Sequence, residues 1–190
     1  SSPKPMIALI DCGSSKTPQI ATQLEEYTDV QVIGLMDFKA EQLAQFEGVV
    51  LSGAPILLTE IDATPYLQHL SWIQTCDKPI LGICFGHQII GLLHGARISK
   101  MREDRQMQEI EIIKDAPLFE RLPDVFEMQE DHCEHISVPK GFDLLACSDA
   151  CINEAMKHRD KPHYGVQFHP EVSGNYGHVL LANFANIVMG

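Results

Sequence analysis

The stretch "KPILGICFGHQIIGLLHG", residues 78–95, carries the fold and the chemistry together. Residues 78–84 are an apolar run behind a proline, the pattern of a strand buried on both faces. From Gly86 onward apolar residues recur at helical spacing, and Gly95 supplies a stop. Cys84 stands where strand gives way to helix, with Gly82 and Gly86 two residues to either side. The pentapeptide is G-x-C-x-G, the thiol counterpart of the sharp turn that exposes a nucleophilic serine. Such a turn crowds the positions two away, so both need a residue without a β-carbon. A sulfur at the apex faces the positive end of the following helix, which favours its anionic form. The N–H of Phe85 points where an oxyanion would form. Taken alone, the pentapeptide also fits an ordinary glycine-bounded turn around a packed cysteine.

Working outward, the same alternation repeats. Residues 6–13, 30–35 and 48–55 read as buried strands, the third ending in the tight turn "SGAP". Helices are expected over 18–27, 40–46 and 65–76, the first behind a proline. After the nucleophile helix, residues 107–114, 126–131, 142–148, 151–158 and 163–169 read as strands with more polar alternation. A closing helix spans 177–189. The fold class is α/β: a doubly wound, mostly parallel sheet flanked by helices, with a small antiparallel extension. Residues 1–190 form one domain in this reading, with 1–5 a disordered polar start. In such sheets sites form at the carboxyl ends of strands, so the turns after Asp11, Ser52 and Ile83 should share one edge.

The formal net charge of −12 argues against nucleic acid as a partner, because phosphate binding needs clustered Lys and Arg. It equally disfavours an anionic membrane surface. No apolar stretch reaches the length of a membrane span, and no signal peptide is recognised. The six cysteines include no C-x-x-C pair, so free thiols in a reducing cytoplasm are expected. Neither Cys147 and Cys151 nor His132, Cys133 and His135 make a metal site in this reading, and none is assigned. The latter group reads as a solvated loop or a pocket wall.

A thiolate nucleophile wants a base. Of nine histidines, His169 closes the apolar strand "YGVQFH", and Pro170 keeps it extended. Glu171 lies two residues on, placed to hold the far imidazole nitrogen. His169 is 85 residues from Cys84, so their proximity is an expectation about the fold.

Together, "PILGICFGHQ" and "YGVQFHPEV" resemble the class I glutamine amidotransferases, which carry a Cys-His-Glu triad. The likeness runs from "LIDCG" through "VVLSGAP" to the final helix. Within the family, residues 148–172 look most like the glutaminase subunits of two-chain GMP synthases. The resemblance implies that Cys84 attacks the side-chain amide of glutamine to give a γ-glutamyl thioester. His169 would protonate departing ammonia and then activate water, oriented by Glu171. Ala54 and Phe85 would supply oxyanion N–H groups, while Gly53, Gln88 and His132 would line the substrate pocket. Ammonia would pass to a partner ATP-dependent synthetase that aminates xanthosine monophosphate. No cofactor is implied in this chain, and neither a G-x-x-x-x-G-K-[ST] loop nor a Ser-Gly-Gly-Val-Asp-Ser loop is present.

Several positions depart from the family pattern. Ala54 replaces the second glycine of Ser-Gly-Gly-Pro, where a positive φ would be costly. Ser15 and Lys16 stand where a Gln-Tyr pair is usual. The pocket segment Trp-x-Ser-His-x-Asp becomes "MQEDHCEHI", with Asp131 in the serine place and Glu134 as the acid. No glycine lies between Gly95 and Gly141. An altered pocket leaves room for a stand-alone γ-glutamyl hydrolase, an amidotransferase serving another synthetase, or a binding homologue without turnover.

Overall fold

The computed structural model describes residues 6–190; the expected disordered start at 1–5 lies outside the described residues. Strands β1 (Ile7–Asp11), β2 (Val30–Gly34), β3 (Gly48–Leu51) and β4 (Ile80–Ile83) alternate with helices α1 (Thr17–Leu24) and α2 (Thr64–His69). Helix α3 (Phe85–Leu93) leaves Cys84 directly. Then follow β5 (Ile98–Asp104), β6 (Met107–Ile112), β7 (Val125–Gln129), β8 (His132–Ile136) and β9 (Phe142–Cys147). Strands β10 (Ala155–His158) and β11 (His163–Val166) lead to α4 (Gly174–Met189).

Nine strands form one sheet in the order β2-β1-β3-β4-β11-β10-β9-β6-β7. The first five pair in parallel, and β10, β9, β6 and β7 extend the sheet antiparallel at one end. β5 and β8 make a separate antiparallel pair. The expected α/β class with its antiparallel extension is thus what the chain adopts.

The continuous apolar runs have a direct cause. Side chains alternate across a strand, and both faces here are covered. Ile7 and Leu9 of β1 join Ile20 and Leu24 of α1 and Leu180 and Phe184 of α4 on one face. Ala8 and Ile10 point the other way, into a core with Phe85, Ile89 and Ile90 of α3.

Register then brings the carboxyl ends together. Leu51 pairs with Gly82, and Ile83 pairs with Val166. Cys84 N–H donates to the carbonyl of Val166 at 2.8 Å, and Ser14 N–H donates to that of Gly53 at 3.1 Å. The turns after β1, β3 and β4 share one edge, as the topology requires.

Some boundaries differ from expectation. Residues 40–45 form a 3-10 helix, and the expected helix 65–76 splits into α2 and a 3-10 turn over 71–75. The expected strand over 151–158 is regular only from Ala155; before it, Ser148 turns the chain by accepting from the N–H groups of Ala150 and Cys151. The pairing of β5 with β8 is a further difference, because β5 is almost wholly exposed and carries charges where an apolar alternation would announce a strand. His132, Cys133 and His135 therefore sit on a strand rather than in a solvated loop.

Candidate active site

Cys84 has φ 51° and ψ −102°. Among described non-glycine residues only Cys84 and Arg121 have positive φ. Such backbone costs about 1–3 kcal/mol and persists only where its surroundings enforce it. Here the flanking glycines leave the room it needs. A β-carbon at Gly82 would lie 2.6 Å from the carbonyl carbon of Gly86, and one at Gly86 would lie 2.7 Å from Leu51 Cβ. Ala54, by contrast, does not have positive φ, so the expected backbone penalty at this position does not arise.

The expected strand over 163–169 ends at Val166; the chain bends at Gln167 and Phe168 before His169, whose own backbone is extended (φ −105°, ψ 92°). His169 N–H donates to the Gln129 carbonyl at 2.9 Å, and Ser173 Oγ donates to the His169 carbonyl. Ser173 Oγ also accepts from Gln129 N–H at 2.9 Å, which ties the histidine loop to β7. His169 Nδ1 lies 2.8 Å from Glu171 Oε2, with both side chains buried. Gln23 Nε2 holds the Glu171 carbonyl at 2.8 Å.

The other edge of the imidazole faces Cys84 across Gly53. A β-carbon at Gly53 would stand 2.9 Å from His169 Cε1 and 3.6 Å from Cys84 Cβ. Burial alone would depress the His169 pKa; the Cys84 sulfur and the Glu171 carboxylate outweigh it and raise it to about 10. An imidazole so placed holds its proton at neutral pH.

Two clefts meet at Cys84. The larger, of about 380 Å³, is lined by Ala54, Phe85, Gln88, Arg105, His132 and Glu134 among others. The smaller, of about 260 Å³, is lined by Lys16, Ala54, Asp131 and His169 among others. Asp131 borders both. It pairs with Lys16 at 2.8 Å and with Arg105 at 3.4 Å, and Arg105 also reaches Glu103 at 2.7 Å. Burial raises the Asp131 carboxyl pKa, but Lys16, His169 and Arg105 prevail and lower it. Two departures from the family pattern, Lys16 and Asp131, are thus each other's ionic partners.

Each expected site residue can be placed. Cys84, His169 and Glu171 come together, with Gly53 as the close backbone approach between the first two. Gln88 lines the larger cleft, its amide donating to the Glu134 carbonyl at 3.0 Å and to Gln167 Oε1 at 3.2 Å. His132 forms part of the wall, with Nε2 2.7 Å from Glu130 Oε1. Glu134 borders the larger cleft, and its carboxylate is engaged by the neighbouring loop. Its carboxylate accepts from the N–H groups of Leu58 and Thr59 at 2.8 Å each and from the Thr59 hydroxyl, and so fixes the loop after Ala54. Sequence reasoning missed Gln167, whose Nε2 lies 3.6 Å from Cys84 Sγ. A glutamine set in an apolar run, two residues before His169, is the signal the sequence offers.

These elements form a thiol–imidazole–carboxylate constellation at the edge of a parallel sheet. The family profile described as Glutamine amidotransferase class-I matches residues 8–188, and the chain belongs to this family of enzymes. It is 37% identical over 150 residues to the glutamine-hydrolyzing GMP synthase subunit of Methanocaldococcus jannaschii, covering 77% of each chain. The same-named protein of Pyrococcus furiosus is 40% identical over 144 residues, covering 74% of this chain and 75% of the relative. A Thermoplasma acidophilum crystal structure, provisionally assigned as the corresponding GMP synthase subunit, superposes with a TM-score of 0.89 at 28% identity. That match covers all of this chain and 96% of the other. No described helix is long and apolar enough to cross a membrane.

Proposed function

We propose that this chain hydrolyses the side-chain amide of glutamine and delivers the ammonia to an ATP-dependent synthetase that aminates xanthosine monophosphate to GMP. The observation that carries the reading is Cys84 on a left-handed elbow, facing an imidazole that Glu171 holds by its far nitrogen.

In this mechanism the Cys84 sulfur attacks the amide carbon of glutamine, and the carbonyl electrons move onto oxygen. The N–H groups of Ala54 and Phe85 stabilise that oxyanion. As it collapses, the C–N bond breaks and His169 gives its proton to the departing nitrogen, releasing ammonia. A γ-glutamyl thioester remains on Cys84. His169, now neutral, takes a proton from water, and the hydroxide attacks the thioester carbon. The C–S bond breaks, glutamate leaves, and the sulfur and imidazolium are restored. Glu171 keeps the ring oriented throughout. Gly53, Gln88 and His132 shape the substrate end. Arg105 and Glu103 offer both signs of charge beside the cleft, which suits the zwitterionic head of an amino acid.

The chemistry calls for no cofactor in this chain. The consumer of ammonia is assigned from the name that the archaeal relatives share, that of a glutamine-hydrolyzing GMP synthase subunit. Six free cysteines suit a reducing cytoplasm. Glutaminase turnover measured with and without a GMP-forming synthetase, ATP and xanthosine monophosphate tests the reading. Turnover should rise in the complete mixture. Unchanged turnover would contradict the assignment to GMP synthesis, and absence of glutamate release in every mixture would contradict amide hydrolysis.

A further inference from the structure

Behind the wall of the larger cleft, Glu130 and Glu154 are both fully buried. Glu130 lies in the turn between β7 and β8, and Glu154 immediately precedes β10. One oxygen of each is accounted for: Glu130 Oε1 lies 2.7 Å from His132 Nε2, and Ser148 Oγ donates to Glu154 Oε2 at 2.7 Å. The other two, Glu130 Oε2 and Glu154 Oε1, find no donor among the described residues. The two carboxyl groups face each other within hydrogen-bonding reach.

Oxygen atoms of two ionised carboxylates do not hydrogen-bond, and two adjacent buried anions are costly. A proton between them removes both orphans at once. We propose that Glu154 is protonated at neutral pH and donates to Glu130, a hydrogen bond that staples the β7–β8 turn to the chain entering β10.

Asp104 beside Glu130 favours the shared proton, whereas His169 beside Glu130 and His132 and Ser148 beside Glu154 oppose it, and burial outweighs them. Glu130 faces Asp104 and His169, and Glu154 faces His132; Cys151 lies near both carboxyls, and His87 and His135 face His132. None of these groups is a lysine or arginine. Burial is the largest cause raising the pKa of both carboxyls.

The turn held in this way carries three contacts to the site. The carbonyl of Gln129 accepts the N–H of His169, the Asp131 carbonyl lies 3.8 Å from Cys84 Sγ, and His132 forms part of the cleft wall. Glu130 and Glu154 are therefore positioning residues. A carboxyl whose pKa is raised on folding stabilises the fold at low pH and loses that contribution as pH rises through the raised value. The staple accordingly weakens on alkalinisation, when two facing carboxylates repel.

Infrared spectra of the full chain in D2O, with carbon-13-labelled glutamate to separate Glu from Asp, test the proposal. They read the proton whether or not the chain turns over glutamine. A protonated-carboxyl band should be present at neutral pD, shift with the label, disappear at alkaline pD and be absent from Glu154→Gln. The amide introduced by that substitution still donates to Glu130 and does not titrate. This variant should therefore keep its site intact to a higher pH than the unaltered chain, read by the rate of Cys84 alkylation. No protonated glutamate band at neutral pD would overturn the proposal. So would its persistence in Glu154→Gln, or stoichiometric divalent metal in the purified protein with the band missing, since a cation would then occupy the proton's place.

Discussion

The imidazole of His169 rests against the missing side chain of Gly53: a β-carbon there would stand 2.9 Å from Cε1. Gly53→Ala should therefore displace the ring from Cys84 while leaving the sheet intact. Glutaminase kcat should fall by about 10²-fold, the scale set by ångström misplacement of reacting groups. Unchanged circular dichroism with that loss supports the account; unchanged kcat would contradict it.

The 2.8 Å contact between His169 Nδ1 and Glu171 Oε2 is the second support of the ring. Glu171→Gln keeps the shape and removes the charge. Steady-state kinetics should show kcat reduced by about 10²-fold or more, the range for general acid–base assistance, with KM for glutamine little altered. A rise in KM with kcat preserved would place Glu171 in binding instead.

His169 should titrate far from an ordinary histidine. Its pKa is raised to about 10, so nitrogen-15 NMR of the imidazole should show the charged ring persisting through neutral pH. Because folding raises this value, the associated stability is fully present below the ordinary histidine pKa and lost as pH climbs through about 10. In Cys84→Ala the midpoint should drop, since burial then opposes a smaller attraction. A ring that titrates normally in the unaltered chain would contradict the raised value.

Lys16 and Asp131 close a bridge beside the nucleophile, and both remain partly exposed, at 24% and 39%. An exposed pair contributes at most about 1 kcal/mol. Lys16→Ala should barely move Tm but should speed alkylation of Cys84 by iodoacetamide severalfold, because Lys16 lines the smaller cleft beside the sulfur. Equal alkylation rates would show that the bridge does not limit access.

The elbow was legible because its chemistry is local. Gly82, Cys84 and Gly86 fall within five residues, and their crowding follows from the turn itself. The strands β1, β3 and β4 were legible because burial on both faces leaves unbroken apolar runs. His169 stood out through its strand and Pro170, although only the register of β4 with β11 makes it a neighbour of Cys84. What stayed hidden depends on pairings between distant segments. β5 is exposed along nearly its whole length, so no apolar period announces it. Lys16 and Asp131 each depart from the family pattern, and their 115-residue separation conceals that they pair. Glu134 is a pocket acid in sequence and in structure, but that its carboxylate is taken up by Leu58 and Thr59 shows only once that loop folds back onto it. Glu130 and Glu154 look like two of many acidic surface residues until both prove fully buried.

The central claim is that Cys84, alone among six cysteines, reacts at its sulfur with a glutamine-shaped electrophile. Peptide-mapping mass spectrometry after incubation with a glutamine-like diazoketone measures this directly. The account predicts stoichiometric modification of Cys84, protection by excess glutamine and strongly slowed modification in His169→Ala. An unmodified Cys84 in a chain whose accessible cysteines still react with ordinary alkylating reagents would contradict it.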